Sequence, residues 1–328
     1  MNEVMLEVAR SMYENMVRIR ITEERIAVAV EAGEIGTPCH LYIGQEAVAA
    51  GVCAALSRDD YVWGGHRSHG HFIAKGGDLR SMVAEIFGRQ TGCCQGRGGS
   101  MHLFASEVGV LGTVPLVAAT IPLAAGAAMA AKLRGESRVS VSFFGDGAVE
   151  EGQTHETMNL AALYKLPVLF VCENNLYASH MGLLERRAND NIHQIASIHG
   201  MPGVSIDGND ALAVYEAAMV AADRARCGDG PSLLECRTFR WRGHVGASWD
   251  IDVGVRRKNE LDEWLPRDPI PRLRAWLIRK GCSLQALELM DERIEDEVAD
   301  AFEFARTSPF PDSAELSKHV FRETQGTD

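Results

Sequence analysis

Two polar clusters in the chain have the composition of a site for a metal ion and a phosphate group. Gly145-Asp146-Gly147 stands directly after an apolar run at residues 139–144, and Asn174-Asn175 follows a second apolar run that begins at residue 168. The Asp146 carboxylate and the Asn175 amide offer hard oxygen ligands, which Mg²⁺ prefers. Glycines on both sides of Asp146 allow the backbone to approach a bulky anion. We therefore interpret the two clusters as one clamp for a metal ion and a diphosphate.

The segments that carry these clusters predict a βαβ unit. Both apolar runs are rich in β-branched and aromatic residues, and the segment between them has helical spacing until Leu166-Pro167 ends it. Residues 232–239 are predicted to form a third strand. Open parallel sheets bind ligands at the carboxyl ends of their strands, so we expect both clusters at the same edge. The predicted fold class is therefore α/β, a parallel sheet flanked by helices.

Helical patterns stand at both ends of the chain. Apolar residues recur at three- and four-residue intervals through the first 32 residues. From Glu260 onward the pattern is again helical, and Gly281 has the position of a C-terminal cap. We predict one domain over residues 1–328, with an N-terminal helix of about residues 1–34 and a helical C-terminal extension of about residues 256–328.

Composition narrows the class of protein. The net charge of −12 and the lack of a basic stripe disfavour nucleic acid and anionic membranes as partners. The apolar stretch 116–133 is broken by Pro122 and Gly126, which indicates a buried helix rather than a membrane span. The first residues include acids and no continuous apolar core, unlike a signal or transit peptide. We expect a soluble, cytoplasmic protein.

Neither the cysteines nor the histidine-rich loop predicts a metal site on its own. The eight cysteines show no CxxC spacing and no disulfide framework, so we expect reduced thiols. His66, His69 and His71 crowd a polar loop beside Arg67. No neighbouring carboxylate or cysteine completes a ligand set there.

Spacing makes the first motif more specific. Gly145-Asp146-Gly147, then 26 residues, then Asn174-Asn175 resembles the thiamine diphosphate motif. Other stretches, between about residues 35 and 280, resemble the α subunit of two-chain 2-oxo acid dehydrogenase E1 components of the pyruvate or acetoin type. The resemblance implies the thiamine diphosphate-binding fold, with thiamine diphosphate and Mg²⁺ as cofactors.

Four of these stretches carry the resemblance. His40 stands shortly before Gly44-Gln45-Glu46, and His66-Arg67-Ser68-His69-Gly70 matches the family's Tyr-Arg-x-His-Gly with histidine in place of tyrosine. Residues 96–102 match the Gly-x-Gly-Gly-Ser-Met-His signature, and residues 240–244 match Arg-x-x-Gly-His. Taken without the family, the glycine-rich stretch is also compatible with a phosphate cradle.

The resemblance assigns roles to particular residues. The positions that match His40, His69 and His244 are implied to be catalytic, and those that match Asp146, Asn175 and Tyr177 are implied to hold the metal ion. The residues implied to bind the cofactor are His66, Arg67, Val117, Gly145, Asp146, Gly147, Ala148, Asn175, Tyr177 and His244. The arginine would grip the diphosphate, because a guanidinium donates to two phosphate oxygens at once.

The implied function is that of an oxidoreductase subunit that is active only with a β subunit, in an α₂β₂ heterotetramer. The β subunit would supply the glutamate that contacts the cofactor's aminopyrimidine. The enzyme would cleave or decarboxylate a 2-oxo acid (pyruvate-like) or acetoin and pass the two-carbon unit to a lipoyl E2 partner. The sequence leaves the choice of substrate open.

Two alternatives remain open at this stage. One is a carboligase or other specialised thiamine diphosphate enzyme without a lipoyl acceptor, and the other is a non-catalytic scaffold subunit. Pro115-Leu116-Val117-Ala118 replaces the family's usual Gly-Ile-Val-Gly, His180 lies in an altered turn, and Val245 replaces the serine of regulated relatives. These departures leave room for the first alternative, whereas the intact metal and histidine motifs argue against the scaffold.

Overall fold

The fold is built around a parallel sheet, in a computed structural model that describes residues 3–251, 254 and 258–318. The strands are β1 (Tyr61–Gly64), β2 (Val110–Thr113), β3 (Ser140–Gly145), β4 (Val168–Asn174), β5 (Tyr177–Ala178), β6 (Met181–Gly182), β7 (Gly203–Asp207) and β8 (Ser232–Arg237). Six of them form the sheet, in the order β2-β1-β3-β4-β8-β7. Strands β5 and β6 form a separate antiparallel hairpin.

Helices cover both faces of the sheet. They are α1 (Glu3–Glu31), α2 (Glu46–Ala54), α3 (His69–Ala74), α4 (Leu79–Ile86), α5 (Thr120–Leu133), α6 (Gly152–Leu163), α7 (Leu183–Arg186), α8 (Ile195–Ile198), α9 (Ala211–Arg226), α10 (Lys258–Trp264), α11 (Pro269–Arg279) and α12 (Leu284–Thr307). Buried side chains of α2 and α9 cluster on one face, and those of α5 and α6 cluster on the other.

The two-sided cover explains the continuous apolar runs in the sequence. Strand β4 is buried along its whole length, and β3 is buried except at its last residue. Alternate residues point to opposite faces: Val141 and Phe143 pack on the side of α2 and α9, whereas Phe170 and Cys172 pack on the side of α5 and α6. A strand buried on both faces has no reason to alternate apolar and polar residues.

The structure confirms the predicted α/β fold. Strands β3 and β4 lie where the two apolar runs predict them. They pair directly in parallel, and helix α6 is the crossover that connects them. The sequence did not predict strands β1 and β2, because each has only four residues. Their sequences are too short for a period-2 pattern to be recognised.

Helix α5 corrects the expectation that stretch 116–133 is a buried helix. Only one of its faces is buried, since Leu123 is 43% and Leu133 is 81% exposed. Pro122 fits inside the helix because residues of the first turn need not donate a backbone hydrogen bond. Among the residues that the structure describes, no helix is long and apolar enough to cross a membrane.

The C-terminal helices fold back onto the N-terminal helix. Buried apolar side chains of α1, α4 and α12 belong to one cluster, and the Tyr13 hydroxyl donates to the Asp291 carboxylate across the α1–α12 contact. The prediction of one domain also covers residues 1–2, 252–253, 255–257 and 319–328, which lie outside the described residues.

Candidate active site

A cavity of about 390 Å³ lies at the carboxyl ends of strands β1, β3 and β4. The sheet brings together residues that are distant in sequence, because parallel strands end at the same edge. The cavity is lined by every residue that the resemblance assigned to the cofactor: His66, Arg67, Val117, Gly145, Asp146, Gly147, Ala148, Asn175, Tyr177 and His244. His40, expected to be catalytic, lines it as well.

Asp146 has one carboxylate oxygen engaged and one free. Its side chain is 1% exposed, and its Oδ2 accepts a hydrogen bond from Arg186, whose guanidinium also pairs with Glu150. Its Oδ1 is buried without a hydrogen-bond partner among the described residues. Burial raises the pKa of Asp146, and the Arg186 charge opposes that rise. A buried oxygen of this kind is costly unless a ligand meets it, so Oδ1 fits a metal ion.

Asn175 and Tyr177 lie beside Asp146 and add oxygen atoms to the same corner. The Asn175 Nδ2 donates to Gln45 Oε1 over 3.0 Å, which fixes the orientation of the amide. Its Oδ1 is held by a weaker contact, 3.4 Å from the Tyr177 backbone nitrogen. The Tyr177 hydroxyl donates to Glu260, which ties α10 to this corner. A set of oxygen donors suits Mg²⁺ better than a transition metal.

Three imidazoles meet at another wall of the cavity. The ring centroids of His40 and His66 are 4.6 Å apart, those of His40 and His244 are 5.0 Å apart, and those of His66 and His244 are 5.4 Å apart. Burial, with the Arg67 charge as the second cause, lowers the pKa of His40 to about 3, of His66 to about 2 and of His244 to about 4. All three rings are therefore neutral near neutral pH.

The His244 loop is held by a buried ionic network. The His244 backbone nitrogen donates to Asp250 Oδ2 over 2.9 Å. Arg240, only 1% exposed, lies 3.8 Å from the same carboxylate and donates to the Ser179 carbonyl over 2.6 Å. A side chain at Gly243 would meet the Asp250 carboxylate at 2.6 Å, so the glycine allows the two residues to lie this close. Asp250 therefore fixes the backbone on which His244 is carried.

His69, which was also expected to be catalytic, does not line the cavity. Helix α3 begins at His69 and turns the side chain into the interior, where it is 0% exposed. Its Nδ1 lies 3.1 Å from Glu23 Oε1, and its Nε2 lies 2.8 Å from Ser100 Oγ. Both ring nitrogens are therefore engaged with residues that do not line the cavity, and the catalytic role expected for His69 stays a prediction.

The glycine-rich stretch is organised around Glu85, which the sequence analysis did not single out. This 0%-exposed carboxylate accepts hydrogen bonds from four backbone nitrogens. The donors, at 2.7, 2.9, 2.6 and 3.1 Å, are Cys94, Gly96, Gly98 and Gly99. The stretch does form an anion cradle, but the anion is the protein's own carboxylate rather than a phosphate. The cradle places Met101 against the cavity.

Glu173 is a further cavity residue that the sequence analysis did not assign. Its Oε1 accepts hydrogen bonds from the Tyr42 hydroxyl and, over 2.9 Å, from His71 Nε2. His71 in turn stacks on Phe143, with ring centroids 3.9 Å apart. Glu173 stands directly before the Asn174-Asn175 pair in the sequence. This adjacency to a predicted site motif is the signal that could have identified it.

Comparison with known proteins gives a consistent result along nearly the whole chain. The model of the dehydrogenase E1 component family matches residues 14–314. The chain is 41% identical over 330 residues to the α-3 subunit of a chloroplastic pyruvate dehydrogenase E1 component from Oryza sativa subsp. japonica, covering 98% of this chain and 77% of the relative. It is 42% identical over 316 residues to the α subunit of acetoin:2,6-dichlorophenolindophenol oxidoreductase from Bacillus subtilis (strain 168), covering 96% and 94%.

Proposed function

The chain belongs to the dehydrogenase E1 component family, and from this we propose that it is an E1 α subunit that uses thiamine diphosphate, together with a β subunit, on a small 2-oxo acid or acetoin. One observation carries the proposal: the residues implied to bind the cofactor all line a single cavity. Thiamine diphosphate, when bound, supplies the electron sink for breaking a bond beside a carbonyl carbon.

The corner of the cavity formed by Asp146, Asn175 and Tyr177, which we call the metal corner, is suited to the diphosphate end of the cofactor. Asp146 Oδ1, the Asn175 amide oxygen and Tyr177 would hold Mg²⁺, which prefers oxygen ligands and shares its shell with phosphate oxygens. Arg67, which lines the same cavity and donates to the Leu41 and His244 carbonyls, would contribute positive charge to the phosphates. The assignment of Mg²⁺ rests on these donors.

His40 and His244 would act on the substrate as neutral imidazoles. Their lowered pKa values, about 3 and about 4, mean that neither ring is positively charged near neutral pH. A neutral imidazole donates a hydrogen bond from one nitrogen to an oxygen that gains negative charge during reaction. We therefore assign both residues to stabilising and orienting the substrate oxygen, with His244 also facing the cofactor.

The site requires a carboxylate that this chain does not place freely in the cavity. Among the described residues, the acidic side chains that line it are Asp146, Glu151 and Glu173. Asp146 is committed to Arg186 and the metal corner, Glu173 to Tyr42 and His71, and Glu151 is an exposed residue. We infer that the glutamate for the aminopyrimidine comes from the β subunit.

The cavity opens beside apolar surface that a β subunit would cover. Leu116 and Val117, which line it, are 71% and 49% exposed. We propose an α₂β₂ heterotetramer in the cytoplasm that passes the two-carbon unit to a lipoyl E2. The cysteines show no disulfide framework in the sequence, which fits a reducing compartment.

An activity assay tests the proposal. The chain and its β subunit, with thiamine diphosphate and Mg²⁺, are supplied with pyruvate or with acetoin, and reduction of 2,6-dichlorophenolindophenol is followed. We expect dye reduction with at least one substrate, dependent on the β subunit, and a fall of about 100-fold in kcat for His40→Asn. No dye reduction with either substrate, together with carbon–carbon bond formation from added aldehydes, would instead establish the carboligase alternative.

A further inference from the structure

We propose that Cys93 and Cys94 form a peroxide-reactive thiol pair, in which Cys94 is oxidised first and Cys93 then closes a disulfide between the two neighbouring residues. Both thiols are half-buried, so a small oxidant can reach them. Neither residue is among those that line the cavity. The proposal is independent of the thiamine diphosphate function, because it concerns the two thiols alone.

A tight turn brings the two sulfur atoms together. The Gln95 backbone nitrogen donates to the Gly92 carbonyl over 2.8 Å, which places Cys93 and Cys94 at the two central positions of a β-turn. In a strand, neighbouring side chains would point to opposite faces. In this turn the two Sγ atoms lie within 4.8 Å of each other and of a Glu85 oxygen. The Cys94 backbone nitrogen donates to Glu85 over 2.7 Å, which anchors the turn.

A metal ion fits the same three groups less well than a reaction between the thiols. The Glu85 carboxylate already accepts hydrogen bonds from four backbone nitrogens. An ionised carboxylate has about four acceptor positions, so Glu85 has none left for coordination. The two thiols alone do not complete the four-ligand shell of a structural zinc site. They are therefore placed to react with each other.

The two thiols differ in how readily they ionise. A hydrogen bond from Cys93 lowers the pKa of Cys94, and the Phe104 backbone N–H acts in the same direction, whereas burial and the Glu85 charge oppose both. The pKa of Cys93 is raised, first by its hydrogen bond to Cys94 and then by burial. The thiolate is the nucleophile in thiol chemistry. Cys94 is therefore the residue that attacks, and Cys93 keeps its proton until the second step.

The other cysteines lack one part of this arrangement. Burial raises the pKa of four of them and makes their thiolates scarce, and these are Cys39, Cys53, Cys172 and Cys236. Cys227 is exposed, but its neighbours in the sequence are an arginine and a glycine. A sensor cysteine needs both access and a second thiol close by to resolve its oxidised form. Cys94 has both.

The reaction balances with a hydroperoxide as the oxidant. The Cys94 thiolate attacks one peroxide oxygen, so a sulfur–oxygen bond forms, the oxygen–oxygen bond breaks, and hydroxide leaves and takes up the proton that Cys94 released. The Cys93 sulfur then attacks the sulfur of this sulfenic acid. The sulfur–sulfur bond forms, and the oxygen leaves as water with the Cys93 proton. Two thiols and one hydrogen peroxide thus give one disulfide and two molecules of water.

The disulfide would be strained and therefore reversible. Neighbouring α-carbons are about 3.8 Å apart across a trans peptide, whereas disulfides usually join α-carbons about 4.4–6.8 Å apart. Strained disulfides are reduced more readily than relaxed ones. We therefore expect dithiothreitol to restore both thiols.

Peptide mapping tests the proposal, because trypsin releases residues 90–97 as one peptide that carries both cysteines and no other. The folded full-length protein is treated with hydrogen peroxide, and the remaining thiols are blocked before digestion. We expect this peptide to lose the mass of two hydrogen atoms and to escape blocking, and dithiothreitol to reverse the change. In Cys93→Ser, Cys94 should persist as a sulfenic acid that dimedone traps. In Cys94→Ser, Cys93 should remain a thiol.

Cys227→Ser is the matched control, since it removes an exposed cysteine outside the pair. It should form the disulfide as the wild type does, and circular dichroism confirms that all variants are folded. The proposal is overturned if the wild-type peptide keeps its mass, or if dimedone traps nothing at Cys94 in Cys93→Ser. It is also overturned if Cys93 is oxidised in Cys94→Ser as fast as the pair is in the wild type, or if Cys227→Ser prevents the disulfide.

Discussion

At the scale of residues, the metal corner depends on a side chain that does not line the cavity. Arg186 pairs with Oδ2 of Asp146 and with Glu150, and its side chain is 6% exposed. By holding one oxygen of Asp146 it leaves the other, Oδ1, to the cavity. Partners that orient a metal ligand in this way contribute to affinity although they never touch the metal.

Removing Arg186 tests this role. Arg186→Ala should weaken Mg²⁺-dependent binding of thiamine diphosphate by about 10–100-fold, because Asp146 loses its orientation and becomes a buried carboxylate without a paired charge. Calorimetry of the α–β complex measures the affinity. Arg80→Ala, which breaks an exposed pair with Asp300, is the matched control and should bind normally. Equal affinities for Arg186→Ala and the wild type would show that Asp146 does not need this partner.

The sequence predicts residues that act through their own chemistry better than residues that act through a partner. Asp146 and His244 were singled out by their residue types and motifs, and both line the cavity. Arg186 was missed because its partner Asp146 lies 40 residues away in the sequence and is met only in the tertiary fold, so no local pattern records the pair. His69 was assigned to catalysis through the family motif at residues 66–70, whereas the start of α3 at His69 turns its side chain into the interior. Its place in the interior is a tertiary property.

At the scale of elements, Glu85 on α4 fixes the glycine-rich stretch that reaches the cavity. Glu85→Gln replaces one carboxylate oxygen by an NH₂ group, which cannot accept hydrogen bonds from the backbone N–H groups that face it. The substitution also removes the negative charge from the hydrogen bonds to the remaining oxygen. We expect a loss of about 2–4 kcal/mol in the free energy of unfolding, since hydrogen bonds to charged groups contribute more than neutral ones. Urea unfolding measures it. The same substitution at the exposed Glu107 is the control, and similar losses for both would contradict the cradle role.

The contact between the His40 segment and the His244 segment depends on Gly44. Its φ is +96°, and a side chain there would meet the Phe239 carbonyl oxygen at 2.4 Å and the Trp241 ring at 2.5 Å. Gly44→Ala should therefore destabilise the fold by about 3 kcal/mol or more, through backbone strain and overpacking together. Thermal unfolding provides the measurement. Gly36→Ala, at a position with no atom within 4 Å, is the control; a similar, small change in both would contradict the close approach.

The sequence predicts long elements better than short ones, because a periodic pattern needs enough residues to be recognised. The long buried strands β3 and β4 and the helix α1 carry enough residues for a pattern, and they lie where predicted. The four-residue strands β1 and β2 do not, although β1 delivers His66 and Arg67 to the site. Helix α5 was expected to be buried because it is apolar, whereas one of its faces remains exposed.

At the scale of the whole molecule, the three imidazoles of the cavity wall, one buried and two half-buried, make stability depend on pH. The folded pKa values of His40, His66 and His244 are lowered to about 3, 2 and 4, whereas an unfolded histidine titrates near pH 6.5. Below about pH 6.5 these histidines therefore bind protons in the unfolded chain and remain unprotonated in the folded protein. The stabilisation is fully present above that pH and is lost as pH falls towards 4.

His66→Tyr isolates one of these contributions, because tyrosine carries no charge in this range. Between about pH 6 and about pH 4, the free energy of unfolding should fall less steeply for the variant, by at most about 1.4 kcal/mol per pH unit. Urea unfolding of wild type and variant at several pH values gives the two slopes. Parallel slopes would mean that His66 is not held neutral by its surroundings.

The central claim is that the cavity holds thiamine diphosphate through a metal ion at Asp146. The most direct test is calorimetric titration of thiamine diphosphate, with and without Mg²⁺, into the α–β complex of the wild type and of Asp146→Asn, with circular dichroism confirming that both are folded. The account predicts binding only with Mg²⁺, and a loss of at least about 100-fold in the variant, since a direct ligand contributes no less than its supporting partners. Metal-independent binding, or equal affinity in the variant, would contradict it.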